Sequence, residues 1–136
     1  MSTIIRDVAT QSVHDQVVNL VAQRWARSWQ CQVTINSDED RAKWAQTDRS
    51  YADIVGWSFK AGRNKVEWVA EIETEASLAE AGISGLWQND VGMGVPLFVF
   101  VPKGRRVEAQ KLALRSNVTL NGVYEYSFVN GAFQLS

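Results

Sequence analysis

Apolar positions recur at helical spacing early in the chain. Val13, Val17, Val18, Leu20, Val21 and Trp25 fall on one arc and predict a helix over residues 11–29. Residues 30–36 read as a short strand, and the polar stretch 37–50 as a loop in which Ser37 and Asp40 could cap one short turn. Two runs rich in Val, Ile, Trp and Phe, 51–60 and 65–74, are joined near Gly62 and predict a hairpin. Thr74 is a good N-cap for a helix over 75–88, with Leu78, Ala79, Ile83, Leu86 and Trp87 on its apolar face. Asn89 to Gly94 breaks it. Residues 95–101 are apolar at nearly every position, as in a strand covered on both faces. A helix is expected over 105–115, then strands over 123–129 and 132–135 about the type I′ signal Asn130-Gly131. The order α-β-β-β-α-β-α-β-β predicts an α/β (α+β) fold, a mixed central sheet flanked by helices.

Composition narrows the function classes. With 136 residues, two prolines and no compositional shift, the expectation is one domain over 1–136. A hydrophobic share of 46% excludes a disordered chain. The net charge of −1 gives no overall attraction to nucleic acid, so any such contact must come from a local basic patch. Cys31 is the single cysteine, which rules out an intrachain disulfide and suggests a reducing, cytoplasmic setting. The N-terminal residues lack the apolar core of a signal peptide, and the run 95–101 is too short to span a bilayer, so no membrane role is expected.

The hairpin carries the chemistry. Asp53, Glu71 and Glu73 sit in runs that are otherwise apolar, where ionised carboxylates need a partner. Glu71 and Glu73 are two apart on a strand and leave the same face. Held together unpaired they would repel, and a divalent cation such as Mg²⁺ or Mn²⁺ removes that difficulty. The competing reading is a solvated acidic face, since Glu67 shares that alternation.

The run Asp53-Ile-Val-Gly, a turn, Val69-Ala-Glu-Ile-Glu-Thr-Glu75, a helix and the strand Val95–Pro102 together resemble the core of the PD-(D/E)XK nuclease superfamily. The resemblance covers roughly residues 11–102 and implies a restriction-endonuclease-like αβββαβ core, as in Holliday-junction resolvases. It implies Asp53 and Glu71 as metal ligands of a Mg²⁺- or Mn²⁺-dependent endonuclease acting on DNA. Glu73 stands where the family carries lysine, and Ala52 where it carries proline. Glu73 then becomes a third ligand or the base that activates water. A first-helix polar residue reaches the site in many proteins with this core, which makes His14 and Asp15 second-tier candidates. The bland reading of His14 is a locally bonded boundary histidine.

Register sets a condition on this reading. A hairpin closed symmetrically at Gly62-Arg63 pairs Asp53 with Ile72 and turns Asp53 away from Glu71 and Glu73. The metal site therefore requires a one-residue shift, from an odd loop or a β-bulge, and we predict one.

Lys103, Arg105, Arg106, Lys111 and Arg115 form the densest basic region, either a solvated helix face or a contact for phosphate backbones. Trp44 is the one tryptophan in a charged loop and the best candidate for base stacking; Trp25, Trp57, Trp68 and Trp87 lie on apolar arcs. One histidine and one cysteine supply neither a nucleophilic triad nor a zinc site. The sequence thus supports a metal-dependent DNA nuclease working as a homodimer or in a larger complex, with RNA as an open substrate. Its rival is a catalytically inactive module of the same fold that binds DNA or a protein partner.

Overall fold

The computed structural model describes residues 8–25, 32–35, 52–79, 82–92 and 94–136. Helix α1 spans Val8–Arg24, followed by strands β1 (Gln32–Ile35), β2 (Ile54–Lys60) and β3 (Arg63–Ile72). Helices α2 (Glu75–Leu78) and α3 (Ile83–Val91) lead to β4 (Leu97–Pro102), then α4 (Arg106–Arg115), β5 (Gly122–Val129) and β6 (Ala132–Leu135). The six strands form one mixed sheet in the order β1-β2-β3-β4-β5-β6. Pairing is antiparallel for β1–β2, β2–β3 and β5–β6, and parallel for β3–β4 and β4–β5. The parallel neighbours follow from the helices between them, because a parallel pair needs a crossover rather than a tight turn.

Alternation along the central strands divides the core in two. Ile54, Trp68, Ala70, Ile72, Phe98 and Phe100 pack with Val17, Val18 and Val21 of α1. Val55, Val69, Leu97, Val99 and Val101 pack with Leu78, Ile83 and Trp87 of α2 and α3 and with Ala109 and Ala113 of α4. Strand β4 is buried on both faces, which is why its sequence is continuously apolar. Trp25, just past α1, sets its ring edge-on to Trp68, Phe98 and Phe100 with centroids 5.0–5.1 Å away. Such contacts add about 0.5–1.5 kcal/mol each beyond area burial and fasten α1 over the sheet.

Thr74 caps α2 as expected: its hydroxyl accepts from Ser77 N, and the Ser77 hydroxyl accepts from Thr74 N. The single helix expected over 75–88 is instead two helices, with Ala79 as the C-cap of the first and Gly82 as the N-cap of the second. The spacing explains the division. Leu78 and Ile83 are five residues apart, about 140° round a straight helix, yet both must face the sheet. Helix α3 also runs past the expected break, to Val91. The helix expected over 11–29 ends at Arg24, and the loop 37–50 with Trp44, like Cys31, lies outside the described residues.

Hairpin β2–β3 settles the register. Its turn is Ala61-Gly62, both with positive φ (54° and 79°), and Lys60 pairs with Arg63. That closure alone would set Asp53 against Ala70, again on the wrong face. Between Gly56 and Trp57 the register shifts by one, so that Gly56 pairs with Trp68, Trp57 with Val66, and Glu67 is the extra residue. The shifted ladder runs Gly56–Trp68, Val55–Val69, Ile54–Ala70, and its next step brings Asp53 opposite Glu71. Gly56 permits this arrangement, for a Cβ there would lie 2.1 Å from Trp68 Cε2. The predicted one-residue shift is present as a β-bulge. Among the described residues no helix is long and apolar enough to cross a membrane.

Candidate metal site

The bulge gathers a group of acids where β2 begins and β3 ends. Asp53 N donates to Glu71 Oε1 at 3.1 Å, and Ile72 N donates to Asp53 Oδ2 at 2.8 Å. Each carboxylate is thus held by the backbone of the opposite strand. His14 of α1 reaches the same point, its Nε2 lying 3.1 Å from Asp53 Oδ2 while Nδ1 lies 3.1 Å from Asp15 Oδ1. Both second-tier candidates of the first helix therefore connect to Asp53, and His14, 4% exposed, links one half-buried and one outer acid.

Glu71 is 5% exposed. Burial first, then the charge of Asp90 and a hydrogen bond to it, and then the charges of Asp53 and Glu73, drive its carboxyl well above the ordinary carboxylate range. Asp90 on α3 is 1% exposed, and burial pushes it up to about 6, with the Asp53 charge adding to the rise. Apart from the carboxyl of Glu71, no donor among the described residues reaches either Asp90 oxygen. The hydrogen bond between the two carboxyls raises Glu71 and holds Asp90 lower than burial alone would.

Glu73 is placed differently. Its Oε1 accepts from the Ser77 hydroxyl at 2.7 Å and its Oε2 from Trp87 Nε1 at 3.0 Å, while its carbonyl accepts from the Tyr126 hydroxyl at 2.7 Å. With 2% exposure it serves as a buried latch joining β3 to α2, α3 and β5. Of the three hairpin acids, Asp53 and Glu71 are thus adjacent, and Glu73 lies beside them with its oxygens engaged elsewhere.

The sequence reading passed over Asp90 because Asn89 to Gly94 resembled a helix break. A signal was present. Ile83, Trp87 and Asp90 follow helical spacing, so the acid continues the stripe that faces the sheet.

The basic candidates gather on α4 and the turn before it. Arg105 Nε donates to Glu75 at 2.7 Å and Arg105 Nη1 to Glu108 at 3.0 Å, which raises the guanidinium further. Arg106 spends Nη2 on the carbonyl of Ser136 at 2.6 Å, while Glu125 accepts from the backbone of Gly104 and Arg106 and covers the start of α4. Lys103, Lys111 and Arg115 are exposed. Lys111 and Arg115 border a surface cavity of about 510 Å³ together with Val107 and Leu114. Lys60 is engaged by Glu67 at 3.2 Å near the turn, the opposite end of the hairpin from Asp53.

The donor set at Asp53, Glu71 and Asp90 suits a hard cation in its charge and all-oxygen character, and the buried Asp90 carboxylate, which no N–H or hydroxyl among the described residues reaches, is the observation that fits one. As the side chains stand, no group of three or more His, Cys, Asp or Glu among the described residues has the spacing of a preformed cage. Neither family models, nor curated proteins, nor solved structures give a match to this chain.

Proposed function

We propose that the chain is a metal-dependent nuclease that hydrolyses DNA phosphodiester bonds at a Mg²⁺ or Mn²⁺ ion held by Asp53 and Glu71. The observation that carries this reading is the bulged register, which spends a local irregularity to set two acids side by side in a mostly apolar hairpin. Bulges re-aim side chains next to active sites. The location supports it as well, since Asp53, the ends of β3 and β4 and the starts of α2 and α4 share one end of the sheet, outside the carboxyl ends of its parallel strands. The element order through β4, with two helices in place of the single one of the αβββαβ core that the sequence resembles, supports the reading as far as its strands go.

A bound cation would neutralise phosphate charge and lower the pKa of a water held on it. The protein's own groups have narrower tasks. Asp53 is oriented by Ile72 N and backed by His14, and Glu71 is fixed by Asp53 N. Cation entry calls for rotation of these carboxylates toward one another. Lys103 lies at the same end, just before α4, while Lys111 and Arg115 are exposed along α4 as it runs back over the sheet; all three suit contacts to a phosphate backbone. The proposal includes a cytoplasmic homodimer or a place in a larger assembly. RNA carries the same phosphodiester and stays within the substrate class.

Incubation of supercoiled, branched and single-stranded DNA with the protein and Mg²⁺ or Mn²⁺ tests the reading. Cleavage abolished by Asp53→Asn and by Glu71→Gln is expected. No cleavage of any of these with either ion would sink it.

A second reading has its own support. Glu73 stands in the position of the family's lysine and is buried with both oxygens engaged, and Lys60 is held at the far end of the hairpin. A noncatalytic module of the same fold, binding DNA or a protein partner, accounts for that loss.

A further inference from the structure

We infer that Asp90 on α3 completes the cation site with Asp53 and Glu71, taking the place that sequence position gives to Glu73, and that the site takes an oxygen-seeking divalent ion of the Mg²⁺/Mn²⁺ class. The inference rests on the metal-site reading above and deepens it.

Three observations carry it. First, α3 is locked over β3 at a defined height, because Trp87 Nε1 donates to Glu73 Oε2. From Trp87 to Asp90 the helix rises about 4.5 Å on the same face. From Glu73 back to Glu71 the strand covers about 6.6 Å, again on one face. The helix runs opposite to β3, as a crossover to the parallel strand β4 requires, so Trp87 over Glu73 sets Asp90 beside Glu71.

Second, Asp90 is 1% exposed and, apart from the carboxyl of Glu71, no described donor reaches either of its oxygens. Burying a carboxylate whose one partner is another acid is among the costliest arrangements a protein can keep. Its charged neighbours are Glu71 and Asp53, both acids. A protein that needed only a filled core would hold an apolar residue here, as it does with Ile83 about two turns earlier on the same stripe.

Third, Glu73 is unsuited to the same task. The Ser77 hydroxyl and the Trp87 indole already hold its two oxygens, and pulling it toward a cation would break both contacts and the hold on α2 and α3. The ligand class follows from the donors. Asp53, Glu71 and Asp90 offer only carboxylate oxygens, while the nearest nitrogen ligand, His14, is turned between Asp15 and Asp53. Soft or borderline ions that select thiolate or imidazole are disfavoured.

The test titrates Mn²⁺ into the full chain near neutral pH, reading free Mn²⁺ by electron paramagnetic resonance, for the wild type, Asp53→Asn, Asp90→Asn and Glu73→Gln. Wild type should bind, Asp90→Asn should lose about tenfold or more in affinity, and Glu73→Gln should stay within about threefold of wild type. Asp90→Ser repeats the measurement if Asp90→Asn lacks a cooperative melt. If Mn²⁺ binding is lost in Asp53→Asn but kept in both Asp90 variants, the role of Asp90 is overturned and the metal-site reading survives. If wild type fails to bind Mn²⁺ at about 10 mM, both fall together.

Discussion

Replacing Asp90 by Asn should make the metal-free protein more stable at alkaline pH, an unusual result for a buried polar substitution. Burial, with the charge of Asp53, raises the Asp90 carboxyl from its ordinary 3.8 to about 6 in the folded chain. A group whose folded pKa is raised favours folding while protonated and opposes it once ionised. Its contribution is therefore intact below about pH 4, declines as pH rises through about 6, and is fully lost above that. At about 1.4 kcal/mol per tenfold change in proton affinity, the penalty at high pH approaches about 3 kcal/mol. Asn keeps the size, never ionises, and offers an amide hydrogen to Glu71 in place of a second negative charge.

Urea melts in EDTA at several pH values should then show Asp90→Asn ahead of wild type by about 1–3 kcal/mol near pH 8, with the gap closing toward pH 4. Saturating Mn²⁺ should reverse the order, because only the intact site gains binding energy in the folded state. The reasoning is refuted if Asp90→Asn is the less stable protein near pH 8 in EDTA. That outcome would mean that the aspartate accepts stabilising hydrogen bonds rather than facing other acids.

Three further outcomes are expected. Gly56→Ala forces a Cβ to 2.1 Å from Trp68 Cε2, so it should cost about 3 kcal/mol or more in a chemical melt and abolish Mn²⁺ binding by disturbing the bulge. Ala61 holds φ at 54° in the exposed hairpin turn, and Ala61→Asn should raise stability by about 0.5–1 kcal/mol in the same melts without changing Mn²⁺ affinity. Removing both exposed cations in Lys111→Ala/Arg115→Ala should lower the slope of log affinity against log salt for duplex DNA by about 2; an unchanged slope would discard α4 as a phosphate contact.

Much of the sheet could be read from the chain because the relevant signals were local and agreed with one another. The unbroken apolar run of β4 meant burial on both faces, and Asn130-Gly131 carries the positive φ values (51° and 79°) its turn demands. Thr74 capped a helix as expected because its partner Ser77 lay within the same turn. Asp53 and Glu71 were legible as a pair only on the condition of a bulge, and the residue that makes the bulge tolerable, Gly56, is explained by a tertiary contact with Trp68.

The failures have the same origin. Ala61 is a poor residue for a left-handed turn, so propensity placed the closure one residue too late. Good helix formers around residue 79 masked the break between α2 and α3, which the phase of Leu78 and Ile83 dictates. Glu73 was placed beside Glu71 by strand alternation, which says nothing about Ser77 and Trp87 arriving from the next two helices. Asp90 is distant in sequence from the hairpin acids and meets them only because α3 folds back over β3.

Anomalous diffraction from a crystal soaked in Mn²⁺ tests the central claim most directly. The account predicts one strong peak bounded by the carboxylates of Asp53, Glu71 and Asp90, with Glu73 still bonded to Ser77 and Trp87. A peak on Glu73 in place of Asp90, or an ordered crystal without anomalous density among these acids, would contradict it.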